Sequence, residues 1–153
     1  MRVRRWQGGI RTAVAEKVLL DTGVIVALVN EADPDHERCR DIWSRLRASI
    51  YTVEGVLVEA AHLLSRATGG SDAALGLVMD AGAILIGPTQ ARLARARALM
   101  AKYHDTPMDL VDALLVVTAE QERLSDVLTL DRRGFETYRI GGRRRFRLQP
   151  RSD

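Results

Sequence analysis

Val18-Leu19-Leu20-Asp21-Thr22-Gly23 is a short β-branched and aliphatic run that stops at a carboxylate, turns at Thr-Gly and leads into a second apolar segment, Val24 to Val29. Such a run reads as a buried strand that delivers an acid to its own carboxyl end. In open α/β sheets, ligands sit at that end of the strands. Three further acids, Glu59, Asp112 and Asp131, interrupt apolar or structured segments where a charge is unwelcome.

Outward from this stretch, strand and helix patterns alternate. A short helix is expected through Val24 to Asn30. Asp33-Pro34 reads as N-cap and first helical position of a helix to about Arg47, with Ile42, Trp43 and Leu46 on one face. Ser49 to Thr52 is a second strand, and Thr52 is placed to cap a helix from Val53 to about Ala67, ended by Gly69-Gly70. Ser71 is placed to cap a helix ending near Gly82, Ala83 to Ile86 is a third strand, and Pro88-Thr89 opens a helix to about Tyr103. Thr106-Pro107-Met108-Asp109 is a strong start signal, with the hydroxyl as cap and proline first, for a helix to about Arg123. Val127 to Leu130 is a fourth strand, and Arg145 to Leu148 alternates like an edge strand. Strands separated by helices imply βαβ crossovers and a three-layer α/β/α fold, with a mostly parallel central sheet of four to five strands.

The 153 residues make one domain by length. Residues 18–148 are expected to form it, after a basic extension of residues 1–17 and before a tail of residues 149–153. The single Cys39 excludes an internal disulfide and a cysteine-based zinc site, and fits a reducing cytoplasm. The longest apolar run is too short to span a bilayer, and no secretory leader is evident. The net charge of +3 hides an asymmetry: residues 1–17 and 132–153 carry 13 Lys/Arg against 3 Asp/Glu, while residues 18–131 carry 10 against 17. Basic ends around an acidic middle suit a polyanionic partner approaching a cation-loaded pocket, although solvated arginine tails would give the same count.

If the first and fourth strands are neighbours, Asp21 and Asp131 emerge at one rim. Glu59 and Asp112 lie within helices among Val, Leu and Ala. Burying an unpaired carboxylate costs several kcal/mol, so these acids must be protonated, paired or exposed. Four hard oxygen donors without a Cys or His cluster favour Mg²⁺ or Mn²⁺ over zinc. Such an ion, keeping several waters, can polarise a phosphodiester and activate water for in-line attack.

The segments LLDTGVIVALVN, VEGVLVEAAHLL, YHDTPMDLVDALLVVTAE and VLTLDRRGF, in that order and spacing, closely resemble PIN-domain proteins, and specifically VapC-type ribonuclease toxins of type II toxin–antitoxin pairs. The match runs from about Val18 to Phe135. The resemblance implies an RNA endonuclease with a Mg²⁺ or Mn²⁺ site, homodimerisation, and inhibition by an antitoxin whose C-terminal segment covers the active site. It places the family's acids on Asp21, Glu59, Asp112 and Asp131. Asp109, one turn before Asp112, either touches the metal shell or serves the helix N-terminus. Thr22 and Thr129 are expected to orient carboxylates or a water. The basic lead and Arg143-Arg144-Arg145-Phe146-Arg147 have no counterpart in the family pattern. Those arginines are open to three roles: tracking RNA backbone, docking a dimer mate, or solvation alone.

His36, His62 and His104 lack the acid–base spacing of a metal-free ribonuclease, and Trp6 and Trp43 read as packing residues. Other functions stand beside the toxin: a PIN-fold RNA-processing nuclease without antitoxin, and an inactive PIN-like binding module. The string Leu-Leu-Asp-Thr-Gly also matches an aspartic protease loop, which needs an all-β fold and a second facing carboxylate.

Overall fold

The computed structural model describes residues 17–151. Residues 1–16, which make up nearly all of the predicted basic lead and include Trp6, lie outside the described residues, as do residues 152–153 of the tail. In chain order the elements are β1 (Lys17–Leu20), α1 (Thr22–Val29), α2 (His36–Arg45), β2 (Ser49–Val53), α3 (Glu54–Leu63), α4 (Gly70–Asp80) and β3 (Ile84–Ile86). There follow α5 (Gln90–Lys102), α6 (Leu110–Glu122), β4 (Asp126–Leu128), α7 (Arg132–Thr137), β5 (Arg139–Ile140), β6 (Arg144–Arg145) and β7 (Arg147–Gln149).

Five strands form one parallel sheet in the order β3-β2-β1-β4-β7, and β5 and β6 form a separate antiparallel pair. β1 is therefore the central strand. That explains the aliphatic run after Lys17, since Val18, Leu19 and Leu20 are buried and a strand covered on both faces has no polar side. Each such side chain contributes about 1.5–3 kcal/mol by leaving water. Leu20 pairs with Leu128 of β4, as the neighbouring-strand expectation required, and the Asp21 N–H extends the ladder to Leu128 O at 3.0 Å. α6 lies within the core: every residue from Ala113 to Ala119 is buried, the pattern of a helix that is apolar all round.

Several predicted boundaries move, each because a side chain has a different partner. Asp33 does not cap α2; its Oδ1 accepts from the Asp35 N–H at 2.8 Å, making a turn that delays the helix to His36. Thr52 does not cap α3, because it lies in β2 with its hydroxyl donating across the sheet to Leu20 O at 2.8 Å. Ser71 ties α4 to Ala61 O at 2.8 Å, while the cap position belongs to Gly69 at φ 71°. Thr106-Pro107-Met108 stays non-helical, and Asp109 is the N-cap of α6. β4 ends at Leu128, before the predicted Leu130, because the chain turns into α7, a helix the sequence pattern missed. The predicted edge strand from Arg145 is split: Arg145 ends β6, Phe146 is buried, and β7 pairs in parallel with β4.

Candidate functional site

The carboxyl rim of the sheet collects the acids by four routes. β1 ends directly at Asp21. β2 runs without a linker into α3, which carries Glu59. β4 leads through Thr129 and Leu130 to Asp131, the N-cap of α7. The N-terminus of α6 contributes Asp109 and Asp112. Gly55 lets α3 approach α6 closely, since a Cβ there would meet Val111 Cγ2 at 3.1 Å.

One hydroxyl, two backbone N–H groups and a capping box fix these carboxylates; the Thr22 hydroxyl, expected to orient a carboxylate, does not bond one, and Thr22 acts through its N–H instead. Asp21 is only 8% exposed; its Oδ1 accepts the Thr22 N–H at 2.8 Å and its Oδ2 accepts the Thr129 hydroxyl at 2.6 Å. The same Thr129 Oγ1 accepts the Asp131 N–H at 3.0 Å, so one side chain links the first and last acids. Asp131 Oδ1 accepts the Gly134 N–H at 3.1 Å. Asp109 Oδ1 accepts the Asp112 N–H at 2.8 Å, and Asp112 Oδ2 accepts the Asp109 N–H at 3.3 Å. Thus Asp109, exposed at the helix start, is the capping residue that the sequence left as one of two options, and it also faces the other acids.

The electrostatics show which acids share a field. Burial pushes the Asp21 carboxyl up from its ordinary range, opposed by its bonds to Thr129 and Thr22 and reinforced by Asp131 and Asp109. Glu59 is raised by burial, then by Asp109 and Asp21. Asp112 is pushed up to about 7 by burial, then by Asp109 and Asp21, with a smaller push from Asp131. Every charged group that moves these three is another acid of the same rim. None of the ion pairs among the described residues involves Asp21, Glu59, Asp109, Asp112 or Asp131. The buried cation Arg92 bonds to α6 instead, through Gln121, Thr118 Oγ1 at 2.6 Å and Leu114 O at 3.5 Å.

The donor set fits a hard divalent cation. All donors are carboxylate oxygens, and they repel one another with no paired cation among the described residues. Thr22 Oγ1, next to Asp21, is buried without a hydrogen-bond partner among the described residues, a cost that a ligand or its water would remove. Among the described residues no three acid, histidine or cysteine side chains stand close enough together to hold a metal ion between them. Acids spread round a rim suit an ion that keeps several of its waters, as Mg²⁺ does.

Other predicted residues lie apart from this field. His36 Nδ1 bonds Ala27 O at 2.7 Å, His104 stands beside Asp105, and His62 is exposed on α3. Trp43 packs on the core, as expected. Arg143, Arg144 and Arg145 lie exposed in the β5–β6 hairpin. Tyr138 escaped the sequence analysis altogether; its hydroxyl lies 3.3 Å from Asp112 Oδ2. An apolar groove of about 620 Å³ runs beside Glu59, lined by Val53, Val58, Ile86, Leu93, Leu110 and Val111 among others.

A parallel α/β sheet with flanking helices removes the aspartic protease alternative, and the rim defines a class of domain that gathers acids where such sheets bind ligands. The chain belongs to the PIN domain family, which matches residues 18–140. It is similar to ribonuclease VapC26 of Mycobacterium tuberculosis, at 29% identity over 136 residues that cover 87% of this chain and 100% of that protein. Its fold matches the crystal structure of Mycobacterium tuberculosis VapC20, a sarcin-ricin loop cleaving toxin, with a TM-score of 0.66 at 20% identity over 72% of this chain and 86% of that one. It also matches a toxin–antitoxin complex from Klebsiella pneumoniae, with a TM-score of 0.59 at 17% identity over 78% of this chain and 91% of that one.

Proposed function

We propose that this PIN-domain chain is a divalent-metal-dependent endoribonuclease and the toxin of a type II toxin–antitoxin pair. The observation that carries the proposal is the carboxyl rim itself: five acids in one field, with no cation paired to them among the described residues. A fold does not fix a function, but uncompensated charge at the ligand-binding edge is a standing cost that a bound cation removes. The similarity to a ribonuclease supports RNA as the substrate.

Asp21, Glu59, Asp112 and Asp131 would hold Mg²⁺ or Mn²⁺, with Asp109 at the margin. Bound there, the ion would supply Lewis acidity toward a phosphodiester and activate water. The chain's own residues do the positioning. Thr129 orients Asp21 and holds the backbone of Asp131, and the Thr22 N–H fixes the second oxygen of Asp21. The N-terminus of α6, the positive end of its dipole, lies at Asp109 and Asp112. Arg143, Arg144 and Arg145, exposed on the β5–β6 hairpin, are assigned to RNA backbone, contact that positions a substrate without reading its sequence.

The partner we assign is an antitoxin whose apolar segment lies in the groove beside Glu59, close enough to cover the acids. The toxin–antitoxin complex among the structures of this fold supports that choice. Exposed Leu63, Met79 and Leu85 support a homodimer. No helix among the described residues is long and apolar enough to cross a membrane, which agrees with action on cytoplasmic RNA.

The test is cleavage of total cellular RNA by purified protein with Mg²⁺ or Mn²⁺, with EDTA, and by the Asp21→Asn variant. Metal-dependent cuts that vanish in the variant are expected. Cuts that persist in EDTA or in the variant would place the chemistry elsewhere.

A further inference from the structure

Tyr138 closes the C-terminal end of α7 and is fully enclosed, at 0% exposure. Its ring meets Tyr103 edge-on at 5.3 Å and Phe135 at 5.4 Å, and Phe135 meets Phe146 at 5.2 Å. Edge-to-face clusters of this kind hold a ring in one orientation. From that cluster the phenol reaches the acids: its oxygen lies 3.3 Å from Asp112 Oδ2 and 3.2 Å from Pro107 O. Gly134 makes the approach possible, since a Cβ there would come within 3.0 Å of the Tyr138 hydroxyl and closer still to Asp131 Oδ2. A six-residue helix thus carries an acid at its entrance and, at its exit, a hydroxyl that reaches the acid of another helix.

We propose that Tyr138 is a positioning residue: its single O–H, shared between Asp112 Oδ2 and Pro107 O, holds that carboxylate turned toward the rim it shares with Asp21. The proposal rests on Asp112 being a site acid. The phenol and the Asp109 N–H hold Asp112 Oδ2 at the same length, 3.3 Å; without the phenol that oxygen keeps one partner in place of two, against repulsion from Asp109 and Asp21 that would turn the carboxylate away. The choice of a hydroxyl is chemically apt. A lysine or arginine at this place would also anchor Asp112, but it would neutralise the negative field a cation needs, whereas a phenol orients the carboxylate and adds no charge.

The test compares the full chain with Tyr138→Phe and with Tyr103→Phe, whose hydroxyl belongs to the same cluster but accepts from the Arg139 N–H at 3.0 Å, away from the acids. Mn²⁺ affinity is measured by calorimetry without RNA, and kcat and KM are measured on RNA. Tyr138→Phe is expected to fold, to bind Mn²⁺ about 10-fold more weakly and to lose kcat by about the same factor with KM unchanged. Tyr103→Phe is expected to change neither, and Tyr138→Phe is expected to add no further loss to Asp112→Asn. Unchanged Mn²⁺ affinity and kcat in Tyr138→Phe, an equal loss in Tyr103→Phe, or failure of Tyr138→Phe to fold each overturns the proposal. A wild-type chain that neither binds Mn²⁺ nor cuts RNA overturns the nuclease proposal and this one with it.

Discussion

The two ends of the same parallel sheet treat their acids in opposite ways. At the amino end, Asp126 opens β4 directly beside Arg147, which opens β7; the pair is bidentate, with Arg147 Nε donating to Asp126 Oδ1 at 3.0 Å. Nearby Asp41 pairs with Arg45, and the Lys17 ammonium donates to Glu122 O at 3.2 Å. These residues help line a cleft of about 1260 Å³, the larger of the two cavities, yet Asp41 and Asp126 are each answered by an arginine. At the carboxyl end, Asp21, Glu59 and Asp112 feel only each other and their acidic neighbours. Cavity size is therefore a poor guide to chemistry in this molecule. Charge left unanswered at a place where burial makes it expensive is the better one.

Breaking the carboxyl end should have the largest effect. Asp21→Asn is expected to lower RNA cleavage by more than about 100-fold, beyond the loss typical of outer-shell changes, with the fold intact by circular dichroism. Thr129→Val removes the hydroxyl that bonds Asp21 and accepts from Asp131. It should lower cleavage by about 10-fold to 100-fold and stability by about 1.5–3 kcal/mol, as for a hydrogen bond to a charged group, both read by kinetics and denaturant melts. Gly134→Ala would drive a methyl group into Asp131 Oδ2. A loss of about 1–3 kcal/mol from overpacking is expected, together with reduced cleavage. Asp126→Asn, at the amino end, is the matched contrast: it should change stability by no more than about 1 kcal/mol and leave cleavage unchanged. An equal loss of activity in Asp126→Asn and Asp21→Asn would erase the distinction between the ends.

A pH series sharpens the same contrast. Asp112 titrates near 7 in the folded, metal-free chain, against an ordinary value of 3.8. The raised value means that the fold prefers the protonated acid, so its contribution is fully present below pH 3.8 and lost as pH rises toward 7. The metal-free melting temperature should fall over that window. Asp112→Asn should flatten the fall, and Mn²⁺ should offset it at the upper end, where the carboxylates are ionised and available.

Much of this was legible in the residues, and the exceptions share a cause. Asp21 stands out because a central strand is uniformly aliphatic and the acid comes at its end. Asp112 stands out because it opens an apolar helix, whereas the adjacency of β1 and β4 entered only as a condition, because strand order is a tertiary fact that the structure supplies. Thr52 and Asp33 were misassigned because a cap is a local pattern, whereas their side chains bond across the sheet and within a turn. Asp131 was placed at a strand end because nothing in Leu-Asp-Arg-Arg-Gly shows where β4 gives way to α7. Tyr138 was invisible because its role depends on a contact 26 residues away and on the missing Cβ of Gly134.

The central claim is that the unanswered acids of the carboxyl rim are a cation site, and thermal melting of wild type and Asp21→Asn, each with and without Mn²⁺, tests it most directly. The expected result is a wild-type melting temperature that rises with Mn²⁺, and a variant that starts no lower than metal-free wild type and does not respond. A variant that responds to Mn²⁺ as wild type does, or a wild type indifferent to the ion, would contradict the account.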